Sequence, residues 1–175
     1  AKRVGPTGSV HAIEPSPYAF DKLQKMVSEN SRRQVRCYPL GLSDQASTIN
    51  LYVAPQSRGN HTPTMVPHAL GQPVPVQVRP LGELLKDWAV QRVALLKVDV
   101  EGHEPRVIAG ARDALAAGVV RNILIELNDH WLRRGGSSNL GLLDSLRQLG
   151  FVLVVPRVSD ERLAEGVHTV WMRHG

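Results

Sequence analysis

Ionisable side chains recur in this sequence where predicted strands give way to turns or helices. In an open α/β sheet, ligands bind beyond the carboxyl ends of the strands, so such positions could hold a ligand and move a proton. His103 is a candidate general base among them, because the ordinary pKa of a histidine lies near neutrality. The four groups are Glu14, Ser43 with Asp44, the segment 99–104, and the segment 126–130.

Glu14 stands between a predicted strand and Ser16, which caps a predicted helix that opens with Pro17. A carboxylate in this place can accept hydrogen bonds from both hydroxyls of a ribose. It can equally be an acid that stabilises a helix N-terminus by about 0.3–1 kcal/mol. The residue types alone leave both interpretations open.

Lys97 and Asp99 interrupt an otherwise apolar strand, and strand alternation places both on one face with Glu101. This pattern predicts either a structural ion pair or a site lysine that Asp99 holds beside a substrate oxygen. Asp99 with Glu126 or Asn128 could also offer oxygen ligands to a hard divalent cation. No third ligand follows at a fixed spacing, so we expect no metal.

The elements that must position these residues alternate in type, which predicts an α/β fold with a parallel sheet. The apolar run 93–100 is typical of a central strand that is covered on both faces. Pro75 confines its strand to a sheet edge. Helices are predicted after Ser16, over 81–88, from Pro105 and around Leu143. Strands are predicted over 9–14, 35–40, 48–53, 74–78, 93–100, 122–127, 151–155 and 168–172.

The segment 54–73 contains four prolines and two glycines and has no periodicity. A loop of this length in a compact domain is usually functional or disordered. We therefore expect either a lid over a site or a plain insertion. The segment 133–138 is basic and glycine-containing, which is typical of a linker and would also suit an anion clamp.

Length and composition narrow the class of protein. The 175 residues, 42% of them apolar, indicate one globular domain over 1–175, and the single Cys37 excludes a disulfide framework. Lysine and arginine outnumber the acids by 21 to 16, yet the positive charges are dispersed and aromatic residues make up only 5%. We therefore expect no nucleic-acid partner. No apolar run is long enough to span a membrane and no leader segment is visible, which predicts a cytoplasmic protein.

Three segments together resemble the FkbM family of S-adenosylmethionine-dependent methyltransferases. The most specific of them is the run from Leu96 to Glu104, which Gly110-Ala111 and Ile125-Glu126 follow. The resemblance extends from Gly5 to about His130. The segments are Gly5-Pro6-Thr7-Gly8-Ser9-Val10-His11-Ala12-Ile13-Glu14-Pro15-Ser16-Pro17, Leu42-Ser43-Asp44 and Leu96-Lys97-Val98-Asp99-Val100-Glu101-Gly102-His103-Glu104.

The resemblance implies a class I methyltransferase-like, Rossmann-like fold, with a mostly parallel sheet, helices on both faces and one reversed terminal strand. It implies O-methylation of a hydroxyl on a small molecule or sugar, with S-adenosylmethionine as cofactor. The resemblance itself implies the cofactor roles of Glu14 and Asp44, and for this activity the candidate residues fall into three roles. They are Lys97, Asp99 and His103 for catalysis, Glu14, Ser43, Asp44 and Asp99 for the cofactor, and Glu101 and Glu126 for the substrate.

The sequence departs from the family's pattern at its start. The family opens with a strand and a glycine-rich turn of the Asp-x-Gly-Ala-Asn-x-Gly kind, and this sequence starts after that point. We therefore expect the first strand and helix to be absent, the domain to be N-terminally truncated, and exposed sheet edges to cause self-association. The competing hypothesis is a catalytically silent domain that binds a protein partner or an anionic polymer.

Overall fold

The structure is a computed structural model that describes residues 2–53, 64–67 and 72–175. Within these residues, strands and helices are mixed along the chain, although β2 to β5 follow one another without a helix between them. The strands are β1 (Val10–Ile13), β2 (Val35–Tyr38), β3 (Gly41–Leu42), β4 (Ser47–Val53), β5 (Gln72–Arg79), β6 (Leu96–Val98), β7 (Asn122–Asn128), β8 (Phe151–Val155) and β9 (Val167–His174). The α-helices are α1 (Pro17–Glu29), α2 (Leu81–Asp87), α3 (Glu104–Gly110), α4 (Arg112–Ala116), α5 (Asp129–Arg134), α6 (Asn139–Gln148) and α7 (Asp160–Leu163).

The described strands form three sheets rather than one mostly parallel sheet. β1 pairs in parallel with β2, and β5 lies between β3, which is parallel to it, and β4, which is antiparallel. The third sheet has the order β6-β7-β9-β8, in which only β6 and β7 are parallel. The α/β class is thus confirmed, whereas the sheets are mixed and the parallel Rossmann arrangement is not what the described strands form.

The prediction that residues 93–100 form a central strand covered on both faces is wrong. Only Leu96–Val98 is a strand, and among the described residues it pairs with β7 alone, so β6 is an edge strand. Leu95 is 55% exposed, and the side chain of Lys97 is 60% exposed. An edge strand leaves one side of its backbone open to solvent, which explains why charged residues are tolerated here.

Pro75 does not place its strand at the edge of the sheet, because β5 is the middle strand of three. β3 is only two residues long, and it pairs with Val78 and Arg79 of β5. At Pro75 the strand therefore has only β4 beside it, where Asn50 is its register partner. A missing backbone N–H is tolerated at such a locally open position.

The main core lies between the four-stranded sheet and the helices that cover it. Ile123, Ile125 and Leu127 alternate along β7 and are fully buried, which is the period of two that a half-covered strand requires. Each buried aliphatic side chain of this kind contributes about 1.5–3 kcal/mol. The remaining core positions come from helices and outer strands, among them Val107, Ile108, Ala111, Leu115, Leu142, Leu143, Leu146, Phe151, Val170 and Met172.

An aromatic stack joins the small sheet of β1 and β2 to the helical layer. Trp88 follows α2 and stacks on His11 and on Tyr38, with ring centroids 4.3 and 4.4 Å apart. The hydroxyl of Tyr38 lies 3.0 Å from Nδ1 of His11.

Among the helices that the structure describes, none is long and apolar enough to cross a membrane.

We predict that the isolated chain self-associates through the open edges of its four-stranded sheet. Leu95 and Val152 lie beside these edges and are 55% and 57% exposed, and unpaired strand edges template contacts between chains. Light scattering should show a mass that rises with concentration, and the double variant Leu95→Lys with Val152→Lys should reduce that rise. Val158→Lys, outside the strands, is the matched control and should leave it unchanged. A monomer at every concentration would contradict the prediction.

Candidate active site

The turn from β6 to α3 is held by a buried carboxylate. Glu104 is 1% exposed, and its Oε1 and Oε2 accept hydrogen bonds from the backbone N–H groups of Val100 (3.0 Å) and Gly102 (2.9 Å). Burial raises the pKa of Glu104, and these backbone donors oppose that rise. Sequence analysis assigned Glu104 no role. The signal was an acid in the first turn of a helix, two residues after a glycine.

Two glycines allow this turn and α3 to approach other elements through backbone alone. Gly102 has φ +97°, and a Cβ there would lie 2.7 Å from the carbonyl oxygen of Trp131. A Cβ on Gly110, at the end of α3, would collide with the carbonyl oxygen of Ser43. The close approach at Gly110 packs α3 against the segment after β3, and Ser43 of that segment also contacts His103 at the start of the helix.

Ser43, Asp44 and His103 form one hydrogen-bonded network. The Ser43 hydroxyl donates to Oδ1 of Asp44 (2.9 Å) and lies 3.1 Å from Nε2 of His103. Since a hydroxyl has one proton and Asp44 can only accept, Nε2 of His103 is the donor to Ser43. Arg106 completes the network by donating to Oδ2 of Asp44 at 2.8 Å. Burial opposes ionisation of Asp44, but Ser43 and Arg106 prevail and lower its pKa.

His103 is neutral at physiological pH. It is 8% exposed, and burial together with the nearby Arg106 charge lowers its pKa to about 4, although Asp44 partly opposes this. The imidazole is therefore unprotonated long before pH 7 is reached. It can serve as a hydrogen-bond partner or as a weak base.

A cleft of about 470 Å³ opens beside this network. Asp44, His103 and Arg106 line one side, and Asn50 and Arg134 are among the residues that complete it. The volume lies in the range of small-molecule sites.

The described segment 64–67 is fixed at this cleft. Thr64 exchanges backbone hydrogen bonds with Tyr52, and its hydroxyl donates to the carbonyl oxygen of Glu101 at 2.6 Å. Arg134 donates to the carbonyl oxygen of Pro67 at 2.9 Å. The rest of the proposed lid, residues 54–63 and 68–71, lies outside the described residues.

A second, acidic network lies at the carboxyl ends of β6 and β7. Carboxylate oxygens of Asp99, Glu101 and Glu126 lie within 4.8 Å of one another, close enough to share one cation. Lys97 donates to Oδ2 of Asp99 at 2.6 Å, and Asn128 donates to Oε2 of Glu101 at 3.3 Å. The predicted pairing of Lys97 with Asp99 is thus confirmed, as an exposed pair.

The carboxyl of Glu126 holds a proton more readily than an ordinary glutamate does. Burial, followed by the charges of Asp99 and Glu101, raises its pKa, and Lys97 lowers it in part. Exposed acidic groups often cluster without an ion, so the three carboxylates alone identify no metal centre.

Glu14 stands apart from both networks in its hydrogen bonds. Its Oε1 accepts from the backbone N–H of Ser16 at 2.8 Å, and the Ser16 hydroxyl accepts from the N–H of Ala19 at the start of α1. Burial raises the pKa of Glu14, and the bond from Ser16 lowers it. This contact supports the capping interpretation while leaving Oε2 available to a ligand.

The predicted site residues therefore fall into three places. Ser43, Asp44 and His103 are joined in one network, and Lys97, Asp99, Glu101 and Glu126 in another, with the β6–α3 turn common to both. Besides Glu104, sequence reasoning missed the roles of Thr64, Arg106 and Arg134. Of these three, only Arg134 carried a signal, as part of the basic segment 133–138.

We predict that His103 makes the protein less stable in mild acid. Its pKa is about 4 in the folded state and near 6.5 when unfolded, so the unfolded state binds more protons between these values. Stability is fully present above pH 6.5 and falls as the pH drops toward 4. Between pH 7.5 and 5 the loss from this group should be about 2 kcal/mol.

Denaturant melts at these two pH values measure this loss. His103→Gln keeps a donor for Ser43 but does not titrate, so it should lose about 2 kcal/mol less than the wild type over this interval. His130→Gln, at an exposed histidine of α5, is the control and should behave like the wild type. Equal losses in His103→Gln and wild type would contradict the assigned pKa.

The chain matches the model of the methyltransferase FkbM domain over residues 1–153. In structure, it resembles the FkbM methyltransferase of Methylobacillus flagellatus KT with a TM-score of 0.60 at 16% identity. That alignment covers 95% of this chain and 36% of the other, and it bears on the fold alone.

Three curated relatives are also methyltransferases by name. Methyltransferase sdnD of Sordaria araneosa is 28% identical over 71% of this chain and 59% of the relative. Methyltransferase 1 of Beauveria bassiana is 29% identical over 89% of this chain and 68% of the relative. Hexuronic acid methyltransferase AglP of Haloferax volcanii is 31% identical over 69% of this chain and 47% of the relative.

The chain thus spans only about half to two thirds of the length of these relatives. None of the matches supports the alternative of a catalytically silent domain that binds a partner. The resemblance seen in the sequence is confirmed by the family match over most of the chain. This chain belongs to the FkbM family of methyltransferases.

Proposed function

We propose that the protein is an S-adenosylmethionine-dependent O-methyltransferase that acts on a hydroxyl of a small molecule or sugar. The observation that carries this proposal is the acidic network at the ends of β6 and β7. Its three carboxylates, Asp99, Glu101 and Glu126, are offset by the single charge of Lys97. Such a network attracts a cationic ligand, and a sulfonium donor is one.

The chemistry of the available donors and acceptors fits this cofactor. Oε2 of Glu14, at the end of β1, suits the hydroxyls of a ribose, which need an acceptor. Asp44 uses one lone pair on each oxygen for Ser43 and Arg106, and it keeps others for the adenine amino group. When bound, the cofactor supplies an electrophilic methyl group on sulfur.

The chain's own residues must orient the acceptor and take its proton. Lys97 fixes Asp99, which we assign to contact with the acceptor oxygen. His103 is assigned as the base, and its neutral state at pH 7 leaves it able to accept a proton. Glu126, whose pKa is raised, is assigned with Glu101 to substrate contact.

A relative's name supports a sugar as the acceptor. AglP of Haloferax volcanii is named a hexuronic acid methyltransferase. The cleft beside His103 has the polar lining that a hydroxylated acceptor requires, with Asn50 and Gln45 among its neutral members.

The cofactor assignment predicts that Glu14→Gln weakens the binding of S-adenosylhomocysteine about tenfold or more. The amide oxygen can still accept the N–H of Ser16, but a charged acceptor for the ribose is lost, and such bonds contribute about 1.5–3 kcal/mol. Isothermal titration calorimetry measures the affinity. Asp21→Asn, on the exposed surface of α1, is the control. Unchanged affinity in Glu14→Gln would remove the ribose role.

The catalytic assignment predicts that the double variant Lys97→Met with Asp99→Leu remains folded and loses methyl transfer. An exposed ion pair contributes about 0–1 kcal/mol, so the fold should survive. The assay incubates the protein with S-adenosylmethionine and a panel of neutral and acidic sugars. Mass spectrometry then detects any methylated product.

Lys25→Met with Glu29→Leu is the matched control, because it removes an exposed ion pair from α1. Its turnover should equal that of the wild type. If the Lys97 and Asp99 double variant also keeps wild-type turnover, these two residues belong to the scaffold and the catalytic assignment is wrong.

A further inference from the structure

The cleft beside His103 carries one positive charge that no carboxylate in the described part of the chain balances. Asp44 pairs with Arg106 at 2.8 Å, which cancels those two charges. His103 is buried and neutral at pH 7. The remaining charged residue of the lining is Arg134, whose guanidinium donates to the neutral carbonyl oxygen of Pro67.

The neighbours of Arg134 fix its position but occupy few of its hydrogen-bond donors. It is the last residue of α5, its guanidinium carbon lies 5.6 Å from the ring centroid of Trp131, and Nη2 donates to Pro67. A guanidinium has five N–H donors, so most of them stay available. A pre-positioned arginine loses less entropy when it binds an anion than a free one does.

The planar shape of the Arg134 guanidinium and the size of its charge indicate which anion fits. The planar guanidinium matches a carboxylate through two parallel hydrogen bonds. One unbalanced positive charge equals the single charge of a carboxylate, whereas a phosphate monoester carries about −1.5 to −2 at pH 7. The neutral polar side chains of the same cleft, Gln45 and Asn50, suit hydroxyl groups on the rest of the ligand.

The acidic network lies on the other side of the β6–α3 turn from this cleft, and its negative charge orients a ligand bound in the cleft. Asp99, Glu101 and Glu126 do not line the cleft, and their negative charge repels a carboxylate. A hydroxy acid is therefore oriented with its carboxylate toward Arg134 and its neutral hydroxyls toward the β6–α3 turn.

We propose that this cleft binds the methyl acceptor and that Arg134 pairs with a carboxylate of that acceptor, which makes the acceptor an acidic sugar or a related hydroxy acid. This inference rests on the proposed function, since it names the substrate class of the same site. Arg134 is then a specificity-determining residue, and His103, which lines the same cleft, acts on the hydroxyl that the position of Arg134 selects.

Calorimetry with three probes tests the proposal, each with and without S-adenosylhomocysteine. The probes are methyl β-glucuronide, the neutral methyl β-glucoside and glucose 6-phosphate. The wild type should bind the glucuronide about tenfold or more tightly than the glucoside. Arg134→Gln should abolish this preference and leave the affinity for S-adenosylhomocysteine unchanged, and Arg134→Lys should retain part of it.

Arg157→Gln is the matched control, because it removes the same charge from an exposed position outside the cleft. It should bind all three probes as the wild type does. Equal affinity for glucuronide and glucoside, or an Arg134→Gln variant that keeps the preference, would overturn the proposal. Tighter binding of glucose 6-phosphate than of the glucuronide would overturn the choice of a carboxylate.

The titrations with S-adenosylhomocysteine test the proposed function, and the titrations with the sugars test the present proposal. Failure of the wild type to bind S-adenosylhomocysteine refutes the cofactor assignment, and the sugar titrations without cofactor still decide whether the cleft prefers a carboxylate. Binding of S-adenosylhomocysteine without discrimination between the sugars refutes the acceptor class and leaves the proposed function intact.

Discussion

The two hydrogen bonds that Glu104 accepts from Val100 and Gly102 determine the position of every assigned residue at the end of β6. A carboxylate buried to this extent is costly unless donors satisfy it, and here the donors are backbone groups of the turn itself. The turn and the first turn of α3 are therefore one unit. Asp99, Glu101 and His103 all project from it.

Because the unit is rigid, it can separate two environments that differ in charge. On one side, His103 lies in a network in which Asp44 and Arg106 balance each other and the imidazole is neutral. On the other side, the carboxylates of Asp99 and Glu101 leave net negative charge. The proposed function would use this division, with a cationic donor beside the carboxylates and an acceptor that loses its proton beside the neutral imidazole.

Local sequence patterns predicted much of the fold. The parts that they did not predict depend on residues that lie far apart in the chain. Ser16 and Pro17 predicted the start of α1, because capping is a property of neighbouring residues. The strand predicted over 122–127 is present as β7. The burial of β6 was predicted wrongly because it depends on which strands lie beside it. Helix α5 was missed because its polar run has no apolar period.

The site shows the same limit. The strand-end rule located Ser43, Asp99 and His103, but Arg106 and Thr64 have roles only through partners far along the chain, Asp44 and the carbonyl of Glu101. The positions of Arg106 and Thr64 in the sequence do not indicate these contacts.

The bond between Ser43 and His103 has a consequence for the order of folding. It joins residues 60 positions apart, so the loop that it closes is about a third of the chain. Closing such a loop costs entropy before any contact repays it, and contacts of this separation slow folding. Helix α6 also depends on distant parts of the chain, since its Leu142, Leu143 and Leu146 are buried in the core beside the four-stranded sheet. The cleft can exist only once the two halves of the chain have met, so a nascent chain cannot form it before the residues up to Gly135 have been made.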